Sequence, residues 1–326
     1  MSLIKSQQNQ IFKIKERDII KELLADKRSL NTRRAYERDL KDFFYSISGA
    51  EPSPQLLKEF LTLDRFTAIG LVLQYKGELI EKKLAEATVN RRIATIKSLV
   101  RYAQKIGKCE WSLEEVQGEK VKSYRDTSGI TIEEFRCLLA TCNRDTARGK
   151  RDYAILHLLW SNALRRNELV QAKIEDFQDN ALWILGKGKG SQKERVHLAP
   201  HTIAAINDWL KALPRALESP LFCALDNAHY LHGLTGDAVY DVVSGAAKQS
   251  GITRRISPHR IRHSGITHAL DATGGDVRKV QKLSRHSKIE TLLIYDDNRI
   301  NAQAEITDLL ASELNEGRGK REEGRS

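Results

Sequence analysis

The sequence predicts a mainly α-helical protein of two domains with one small β region. Apolar residues recur at helical spacing over most of the chain, whereas strand-like apolar runs occur only on either side of one Gly- and Lys-rich turn. The length of 326 residues also favours two domains, because a chain of this size exceeds a single small core. With 40% hydrophobic and 30% charged residues, the composition is that of an ordinary globular protein.

Residues 17–111 are predicted to form a helical domain behind a short arm of residues 1–16. Ser29 precedes a strongly periodic helix, and Gly49 is placed to end it. Five apolar residues at helical spacing mark the buried face of this helix: Tyr36, Leu40, Phe43, Phe44 and Ile47.

Two further stretches complete this domain. The segment from Pro52 to Leu84 is interpreted as further short helices, and Thr88 opens another amphipathic helix that ends before Gly107. The polar face of that helix carries four basic residues: Arg91, Arg92, Lys97 and Arg101. They could contact DNA phosphates or form an ordinary solvated face, because Lys and Arg are what exposed helical positions usually hold.

The second domain is predicted to span residues 129–314. It follows a polar linker of residues 112–128 that lacks periodicity, and it precedes a charged, disordered tail of residues 315–326. Thr131 and Glu134 have the spacing of a capping box, which marks the start of a helix.

The interior of this second domain is predicted from three local patterns. The segment from Tyr153 to Trp160 is apolar almost all round and is predicted to be a buried helix. Ala181–Leu185 and Glu194–Leu198 flank a turn of sequence Gly-Lys-Gly-Lys-Gly-Ser-Gln-Lys, which predicts a β-hairpin. Ser257 and Pro258 are the residue types favoured at an N-cap and at the first helical position.

The overall composition restricts the class of partner. A net charge of +11 and a pI near 9.4 favour a polyanion such as nucleic acid, since neutralising phosphates releases condensed counterions. The four cysteines are dispersed without a CxxC pair, which argues against a zinc site and for a reducing intracellular setting. No apolar run approaches the ~18 residues of a membrane span. The first residues have no apolar core of the kind that a secretory signal needs.

Two arginines of the second domain are candidates for binding a phosphate. Arg165 follows the predicted buried helix. Arg262 stands three residues after His259 just inside a helix start, so these two share one face. A guanidinium keeps its charge and offers a planar fork that fits two phosphate oxygens. Glu168, three residues after Arg165, could support a site group or form an ordinary structural salt bridge.

A tyrosine, a lysine and two histidines complete a set suited to phosphate-ester chemistry without a metal. Tyr295 could attack a phosphate and carry a covalent intermediate, provided that neighbouring cations and a base offset its ordinary pKa of about 10. Lys187, in the Gly-rich turn, could protonate a departing oxygen. His259 could provide the base, and His286 is the second histidine of the set.

In their order and spacing these residues resemble the tyrosine recombinase family of phage integrases and Xer- and Cre-like site-specific recombinases. Leu164 to Leu169 matches the family's Leu-Arg-x-x-Glu-Leu motif, and Gly186 to Arg195 matches its hairpin of the Gly-Lys-Gly…Lys-Glu-Arg type. His259 to His263 matches His-x-x-Arg-His. His286 matches the family's next His or Trp, and Tyr295, nine residues later, matches its nucleophile.

The resemblance covers roughly Gly129 to Leu310 and shows three departures. Arg285 stands where glycine is usual before the last histidine, and it could alter the site or add a DNA contact. The hairpin turn is two residues longer than usual, so the catalytic lysine is either Lys187 or Lys189, and the register favours Lys187. Ser264-Gly265-Ile266 replaces the common Ser-Phe-Ala, which we interpret as a packing change.

The resemblance implies a helical core-binding domain and a catalytic domain that form a C-shaped clamp around double-stranded DNA. The implied catalytic residues are Arg165, Lys187, His259, Arg262, His286 and Tyr295. The tyrosine would attack the scissile phosphate, leaving a 3′-phosphotyrosyl bond and a free 5′-hydroxyl. The two arginines and His286 would hold that phosphate, His259 would assist proton transfer, and Lys187 would be the general acid.

The resemblance also implies partners and a cellular setting. Because one ester is exchanged for another, neither ATP nor a metal cofactor is expected. The family acts as a homotetramer on paired DNA sites through a Holliday junction. We predict that the helix from Asn301 to Leu314, with apolar residues at helical spacing, packs onto a neighbouring protomer. A cytoplasmic, nucleoid-associated protein without a membrane partner is expected, and accessory proteins are compatible with this interpretation.

Two other functions stay open at this point. A type IB topoisomerase shares the tyrosine chemistry but relaxes DNA, and the helical first domain favours a recombinase over it. A non-catalytic DNA-binding accessory protein could keep the same fold, but the complete six-residue set argues against it. The sequence does not specify the target site, or whether the reaction is integration, excision, inversion or dimer resolution.

Overall fold

The computed structural model describes residues 18–121, 129–186, 192–297 and 306–312, except for the side chains of 294–297. These parts are mostly helical, with one three-stranded antiparallel sheet, which confirms the predicted fold class. The chain divides into two compact units, one on each side of residue 122. Within the described ranges no helix is both long and apolar enough to cross a membrane. The predicted arm of residues 1–16 and the predicted tail of 315–326 lie outside them.

The first unit is helical over its described residues 18–121. Its helices are α1 Ile19–Ala25, α2 Leu30–Ser48, α3 Pro54–Thr62, α4 Arg65–Glu81 and α5 Glu86–Lys105. Ser29 caps α2, and Gly49 ends it with a left-handed φ of 70°, as predicted. The stretch predicted as short helices contains the 17-residue α4. Helix α5 begins at Glu86, slightly before the predicted Thr88, and lacks a side-chain cap.

Aromatic side chains fill the core of the first unit. Phe43 lies 5.2 to 5.3 Å, between ring centroids, from Phe44, Phe60 and Tyr75, each time edge to face. Trp111 extends the cluster, with its ring 5.5 Å from that of Phe60. Edge-to-face pairs are favoured because the positive edge of one ring meets the negative face of the other. Helices α2, α3 and α4 are thereby held around one set of rings.

The beginning of the predicted linker packs onto this core. Leu113 and Val116 are buried. Asn90 of α5 donates to the Glu119 carbonyl at 2.8 Å and accepts from the Glu119 amide at 2.6 Å. The predicted linker of residues 112–128 therefore differs from the structure, in which residues 112–121 belong to the first unit. Two apolar residues in a polar stretch are too few to give a periodic signal. The rest of the linker, 122–128, lies outside the described residues.

Two of the basic residues on α5 have partners inside the first unit. Arg91 forms an ion pair with the buried carboxylate of Asp39. Arg92 pairs with Asp42 and donates to the hydroxyl of Tyr75 at 3.2 Å. These ion pairs favour a structural role over phosphate binding for Arg91 and Arg92. Sequence periodicity could not reveal them, because the carboxylates lie on another helix.

The second unit surrounds a small sheet with helices. Its elements are α6 Ile132–Ala140, α7 Ala147–Ser161, α8 Arg166–Gln171, β1 Phe177–Gln178, β2 Ala181–Leu185, β3 Lys193–His197, α9 Pro200–Ala212, α10 Gly236–Gln249, α11 Pro258–Ala272, α12 Val277–Ser284 and α13 Glu290–Asp297. Residues 306–312 are also helical. The capping box of Thr131 and Glu134 and the N-cap at Ser257 form as predicted.

The sheet contains the predicted hairpin and one strand more. Strands β2 and β3 pair antiparallel, with Trp183 opposite Arg195. Strand β1 joins β2 through Asp179 and Asn180, whose φ angles are 51° and 55°. A two-residue turn with both residues left-handed matches the twist of a hairpin, and Asp and Asn tolerate that conformation. Two residues give no alternation, so this strand could not be predicted from the sequence.

Helix α7 forms the centre of the second unit. Its side chains from Ala154 to Leu159 are buried, as predicted, and it packs against α9 and α11. The contact with α11 is close at Gly265, where an added Cβ would lie 2.4 Å from the carbonyl oxygen of Trp160. The glycine of the Ser264-Gly265-Ile266 departure is thus required by the approach of the two helices.

We predict that Gly265→Ala destabilises the second unit by roughly 1–3 kcal/mol, because the new methyl overlaps a backbone carbonyl that cannot move alone. Gly245→Ala is the matched control. It lies inside α10 with nothing within 4 Å of an added Cβ, so alanine should stabilise by about 0.5–1 kcal/mol. Denaturant unfolding followed by tryptophan fluorescence measures both, since Trp160, Trp183 and Trp209 belong to this unit. Equal effects of the two substitutions would contradict the helix contact.

A second feature of α7 makes stability depend on pH. His157 is buried, with its ring 4.6 Å from that of Tyr153 and 5.0 Å from that of His201. Burial lowers the pKa of His157 from 6.5 to about 4, and the nearby His201 and Arg144 act in the same direction. The folded state therefore holds this imidazole neutral at pH values where the unfolded chain protonates it.

We predict that the free energy of unfolding falls as the pH decreases from about 6.5 to 4, since the unfolded state binds the extra proton. At pH values below both the unfolded and the folded pKa, the contribution of His157 to this loss is on the order of 3 kcal/mol. His157→Phe should flatten this part of the profile relative to the unaltered chain. The exposed His232→Gln serves as the control. A profile unchanged by His157→Phe would show that other groups cause the acid loss.

Candidate active site

Arg165 is positioned by the sharp turn between α7 and α8. Ala163 has a left-handed φ of 45°, and the Leu164 amide donates to the Leu158 carbonyl at 3.1 Å, which closes the end of α7. Arg165 is the N-cap residue of α8, and the Glu168 carboxylate accepts from its main-chain amide at 2.8 Å and from its Nη1 at 2.7 Å. The Arg165 side chain stays 25% exposed, while that of Glu168 is 3% exposed. Glu168 therefore holds the arginine at the surface.

Arg262 lies on α11 and is almost fully buried. Its side chain donates to two main-chain carbonyls, those of Ala163 and Ser284. Its Nη2 atom lies 3.5 Å from Nε2 of His286. The α7–α8 turn and the end of α12 supply these partners, so two separate segments of the chain fix the guanidinium of this α11 residue.

His259 is held by a second histidine one helical turn later. The Nε2 atoms of His259 and His263 lie 2.7 Å apart, and the ring centroids are separated by 4.0 Å. A hydrogen bond between two imidazoles requires one ring to donate and the other to accept. His263 was not predicted as a site residue, although the i,i+4 spacing of the two histidines is the sequence signal for this contact.

His286 follows α12 at the centre of the positive charges. Gln281 donates to its carbonyl at 3.0 Å. Burial lowers the pKa of His286 from 6.5 to about 4, and Arg262, Arg165, His259 and Arg285 act in the same direction. The imidazole is therefore neutral near pH 7 and can act as a hydrogen-bond donor or acceptor without adding to the charge.

Arg285 ends α12 in a left-handed conformation, with φ of 55° and ψ of 37°. Its side chain is 6% exposed and points into the unit. Nη1 donates to the carbonyls of Asn162 and Leu283 at 3.1 and 2.8 Å. Nη2 donates to the Ala163 carbonyl and to Glu168 Oε2, both at 3.1 Å. The sequence left two roles open for Arg285, a change within the site or an added DNA contact. Its buried, inward-pointing side chain supports the first.

The carboxylate of Glu168 is the only negative charge among these four charged side chains, the others being Arg165, Arg262 and Arg285. Burial alone would raise the pKa of Glu168, but Arg285 and the hydrogen bonds from Arg165 outweigh burial and hold that pKa below its ordinary value. Three guanidinium groups and one carboxylate leave a net positive site, which favours a bound phosphate. The salt-bridge and supporting roles that the sequence left open for Glu168 are both present.

Three predicted residues are not described in the same detail. Tyr295 belongs to α13, but its side chain lies outside the described residues. Lys187 and its alternative Lys189 also lie outside them. Lys193, at the start of β3, is described and forms an ion pair with the buried Asp176.

The structure thus brings together Arg165, Arg262, His259 and His286 around the ends of α7, α11 and α12. It also reveals a main-chain group that no sequence pattern indicated, the Ala163 carbonyl, which accepts from both Arg262 and Arg285. In the described parts of the chain no three His, Cys, Asp or Glu side chains are grouped to hold a metal ion.

Solved structures with the same fold include recombinases bound to DNA. The XerH site-specific recombinase, solved in a post-cleavage complex with palindromic difH substrate, has a TM-score of 0.64 at 21% identity, covering 87% of this chain and 81% of its own. A lambda integrase tetramer bound to a Holliday junction has a TM-score of 0.59 at 14% identity, covering 83% and 75%. At these identities the likeness shows the fold.

Sequence comparison identifies the family. Residues 129–301 match the phage integrase family, and residues 20–107 match the phage integrase N-terminal SAM-like domain. A tyrosine recombinase of Synechocystis sp. is 51% identical, covering 91% of this chain and 96% of its own. One from Synechococcus elongatus is 52% identical, covering 92% and 95%. Tyrosine recombinase XerD of Listeria innocua is 31% identical, covering 82% and 88%. The chain belongs to the tyrosine recombinase family.

Proposed function

We propose that this tyrosine recombinase cleaves and rejoins DNA at specific sites through a 3′-phosphotyrosyl intermediate. The observation that carries the proposal is the convergence of Arg165, Arg262 and His286 in one net positive site. In the proposed step, Oη of Tyr295 forms a bond to the scissile phosphorus, and the bond from phosphorus to the 5′-oxygen breaks. The reverse attack by a 5′-hydroxyl of the partner duplex restores a phosphodiester.

The two arginines are proposed to neutralise the charge that develops on the scissile phosphate. Arg262 is fixed by two carbonyls and stays in place without reorganisation during the reaction, which is the condition under which such stabilisation is strongest. Arg165 is more exposed and can approach the phosphate from the surface. His286 is neutral near pH 7 and would donate a hydrogen bond to a phosphate oxygen.

Two residues are proposed to move the protons. His259, held against His263, would assist removal of the proton from the Tyr295 hydroxyl. Lys187 would give a proton to the departing 5′-oxygen, and Lys189 is the alternative if the longer turn shifts the register. The exchange conserves the ester bond, so the proposal includes neither ATP nor a metal.

The proposed assembly is a homotetramer on two double-stranded DNA sites, acting in the cytoplasm at the nucleoid. The lambda integrase of the same fold, solved as a tetramer on a Holliday junction, supports it. The helical residues 306–312 expose Ile306, Leu309 and Leu310, each more than half accessible. Such a helix face favours contact with another protein surface, here proposed to be the neighbouring protomer.

We predict that Tyr295→Phe abolishes covalent attachment to DNA and leaves duplex binding unchanged, because phenylalanine keeps the ring and removes the attacking oxygen. The measurement uses nicked suicide substrates from DNA flanking the gene, in EDTA, with a denaturing gel to detect the protein–DNA band.

Arg165→Ala should reduce the rate of covalent attachment by about 100-fold or more while the tyrosine remains, in line with the loss of one preorganised charge contact.

The gel distinguishes the possible outcomes. A band that persists in Tyr295→Phe would assign the nucleophile to another residue. If no flank gives a band although duplex DNA binds tightly, the target site lies elsewhere or the chain binds without cleaving. Relaxation of supercoiled DNA lacking any specific site would instead favour topoisomerase chemistry.

We further predict that deletion from Asn301 onward leaves binding to a single site but abolishes the pairing of two sites. The reason is the loss of the exposed apolar face of residues 306–312. Mobility shift measures the first property, and gel filtration of the complex with two duplexes measures the second. Leu309→Ser with Leu310→Ser is the finer variant, since it removes the apolar face alone. Normal recombination by the deleted chain would refute the proposed contact.

A further inference from the structure

Arg285 occupies a backbone position that does not favour it. Its left-handed φ of 55° is a conformation in which the Cβ of a non-glycine residue crowds the carbonyl. Its guanidinium is also removed from water, which is costly for a charge unless it is paired and hydrogen-bonded. The backbone strain and the burial of a charge both fall on Arg285, next to His286. This indicates that the contacts of Arg285 compensate for them locally.

The first compensating contact links Arg285 to Arg165. The Glu168 carboxylate is shared, with Oε1 accepting from Arg165 and Oε2 from Arg285. In addition, the main-chain carbonyl of Arg285 accepts from Nη2 of Arg165 at 3.1 Å. The left-handed conformation directs this carbonyl and the side chain of the same residue to one group of partners. Two nitrogens of Arg165 are therefore fixed by groups that depend on Arg285.

A second contact links Arg285 to Arg262. The Ala163 carbonyl accepts from both guanidinium groups, and the Ser284 carbonyl, one residue before Arg285, accepts from Arg262. Arg285 also binds the Asn162 carbonyl, so it ties the end of α12 to the whole α7–α8 turn. The positions of the two arginines proposed to hold the phosphate thus share one anchor.

The charge of Arg285 has an effect of its own. Without it, the buried Glu168 carboxylate would face Arg165 alone, and the charge of that pair would sum to zero, leaving Arg262 as the one unbalanced charge of the four side chains. Arg285 supplies the balancing charge from inside the unit, where solvent screens it weakly. Arg165 can then keep its attraction for an external phosphate.

We propose that Arg285 is a positioning residue for DNA cleavage, holding Arg165 and Arg262 in place and offsetting the charge of Glu168. This inference rests on the proposed function, in which those two arginines bind the scissile phosphate. Arg285 is not proposed to touch the DNA, because each of its two Nη atoms already donates to two internal oxygens.

The test compares Arg285→Gly, Arg285→Lys and the control Arg278→Ala. Glycine suits the left-handed backbone and is the usual residue here in the family, so this variant is expected to fold. Lysine keeps the charge but loses the planar fork. Arg278 is an exposed arginine on the same helix α12, and alanine suits its helical backbone. Single-turnover cleavage at saturating nicked DNA and the Kd for duplex DNA are measured for each.

Arg285→Gly should lower the cleavage rate by at least about tenfold, close to 1.4 kcal/mol, while the Kd changes less than about threefold. Arg285→Lys should recover part of the rate. Arg278→Ala should weaken binding at most and leave the saturated rate unchanged. A general loss of structure would not produce this separation of rate from affinity, nor the partial rescue by lysine.

A modified substrate tests whether the effect passes through the arginines. A methylphosphonate at the scissile position carries no negative charge and needs less help from the arginines. The rate ratio between the unaltered chain and Arg285→Gly should therefore shrink toward one on this substrate. An unchanged ratio, or equal rates on the normal phosphate, would overturn the inference.

The proposed function is tested separately by the Tyr295→Phe gel. If the unaltered chain gives no covalent band on any flank, the target site lies elsewhere or the chain binds without cleaving, and no cleavage rates can be compared. The inference on Arg285 is then decided by a crystal structure of Arg285→Gly. A displaced Arg165 side chain would support it, and an Arg165 that keeps its two contacts with Glu168 would overturn it. If the unaltered chain cleaves and Arg285→Gly cleaves equally, only the inference fails.

Discussion

The arrangement of the site depends on one buried carboxylate. Glu168 accepts from the main-chain amide of Arg165, from the guanidinium of the same residue and from Arg285. A carboxylate that is 3% exposed is stable in the charged form only when its oxygens are bonded and its charge is balanced. Removing either arginine leaves a buried charge short of partners. The start of α8, the end of α12 and the orientation of Arg165 are therefore coupled through this group.

Main-chain carbonyls in left-handed turns complete the arrangement. Ala163 and Arg285 both have positive φ, and the carbonyl of each accepts from an arginine of the proposed catalytic set. Strained backbone at such a place is compatible with function, since the surrounding contacts determine it. A guanidinium held by carbonyls has no negative charge beside it to offset its own, because these partners are neutral. Arg262 differs in this from Arg165, whose partner Glu168 is charged. The charge of Arg285 is therefore needed beside Arg165, whereas its hydrogen bonds are linked to both arginines.

Much of the fold followed from local rules in the sequence, and the parts that did not follow depend on distant contacts. The caps at Ser29 and Ser257 are set by residues within one turn, so they could be predicted. The ion pair of Arg91 with Asp39 joins two helices and leaves no periodic trace. The inward direction of Arg285 depends on Glu168, 117 positions earlier, and on a turn whose conformation no residue type specified. Local patterns predict elements, whereas charge pairing between elements requires the assembled unit.

The balance of energies explains how an arginine is tolerated where glycine suits the backbone. A left-handed conformation costs a non-glycine residue about 1–2 kcal/mol. Breaking a buried ion pair by removing one partner costs roughly 3–5 kcal/mol. The ion pair therefore outweighs the backbone strain and favours the arginine as long as Glu168 is present and buried, and this advantage is lost if that carboxylate is absent. In this chain the ion pair with Glu168 compensates for the backbone strain of Arg285. A chain with glycine at this position must balance its carboxylate in another way, through Arg165 alone or through solvent.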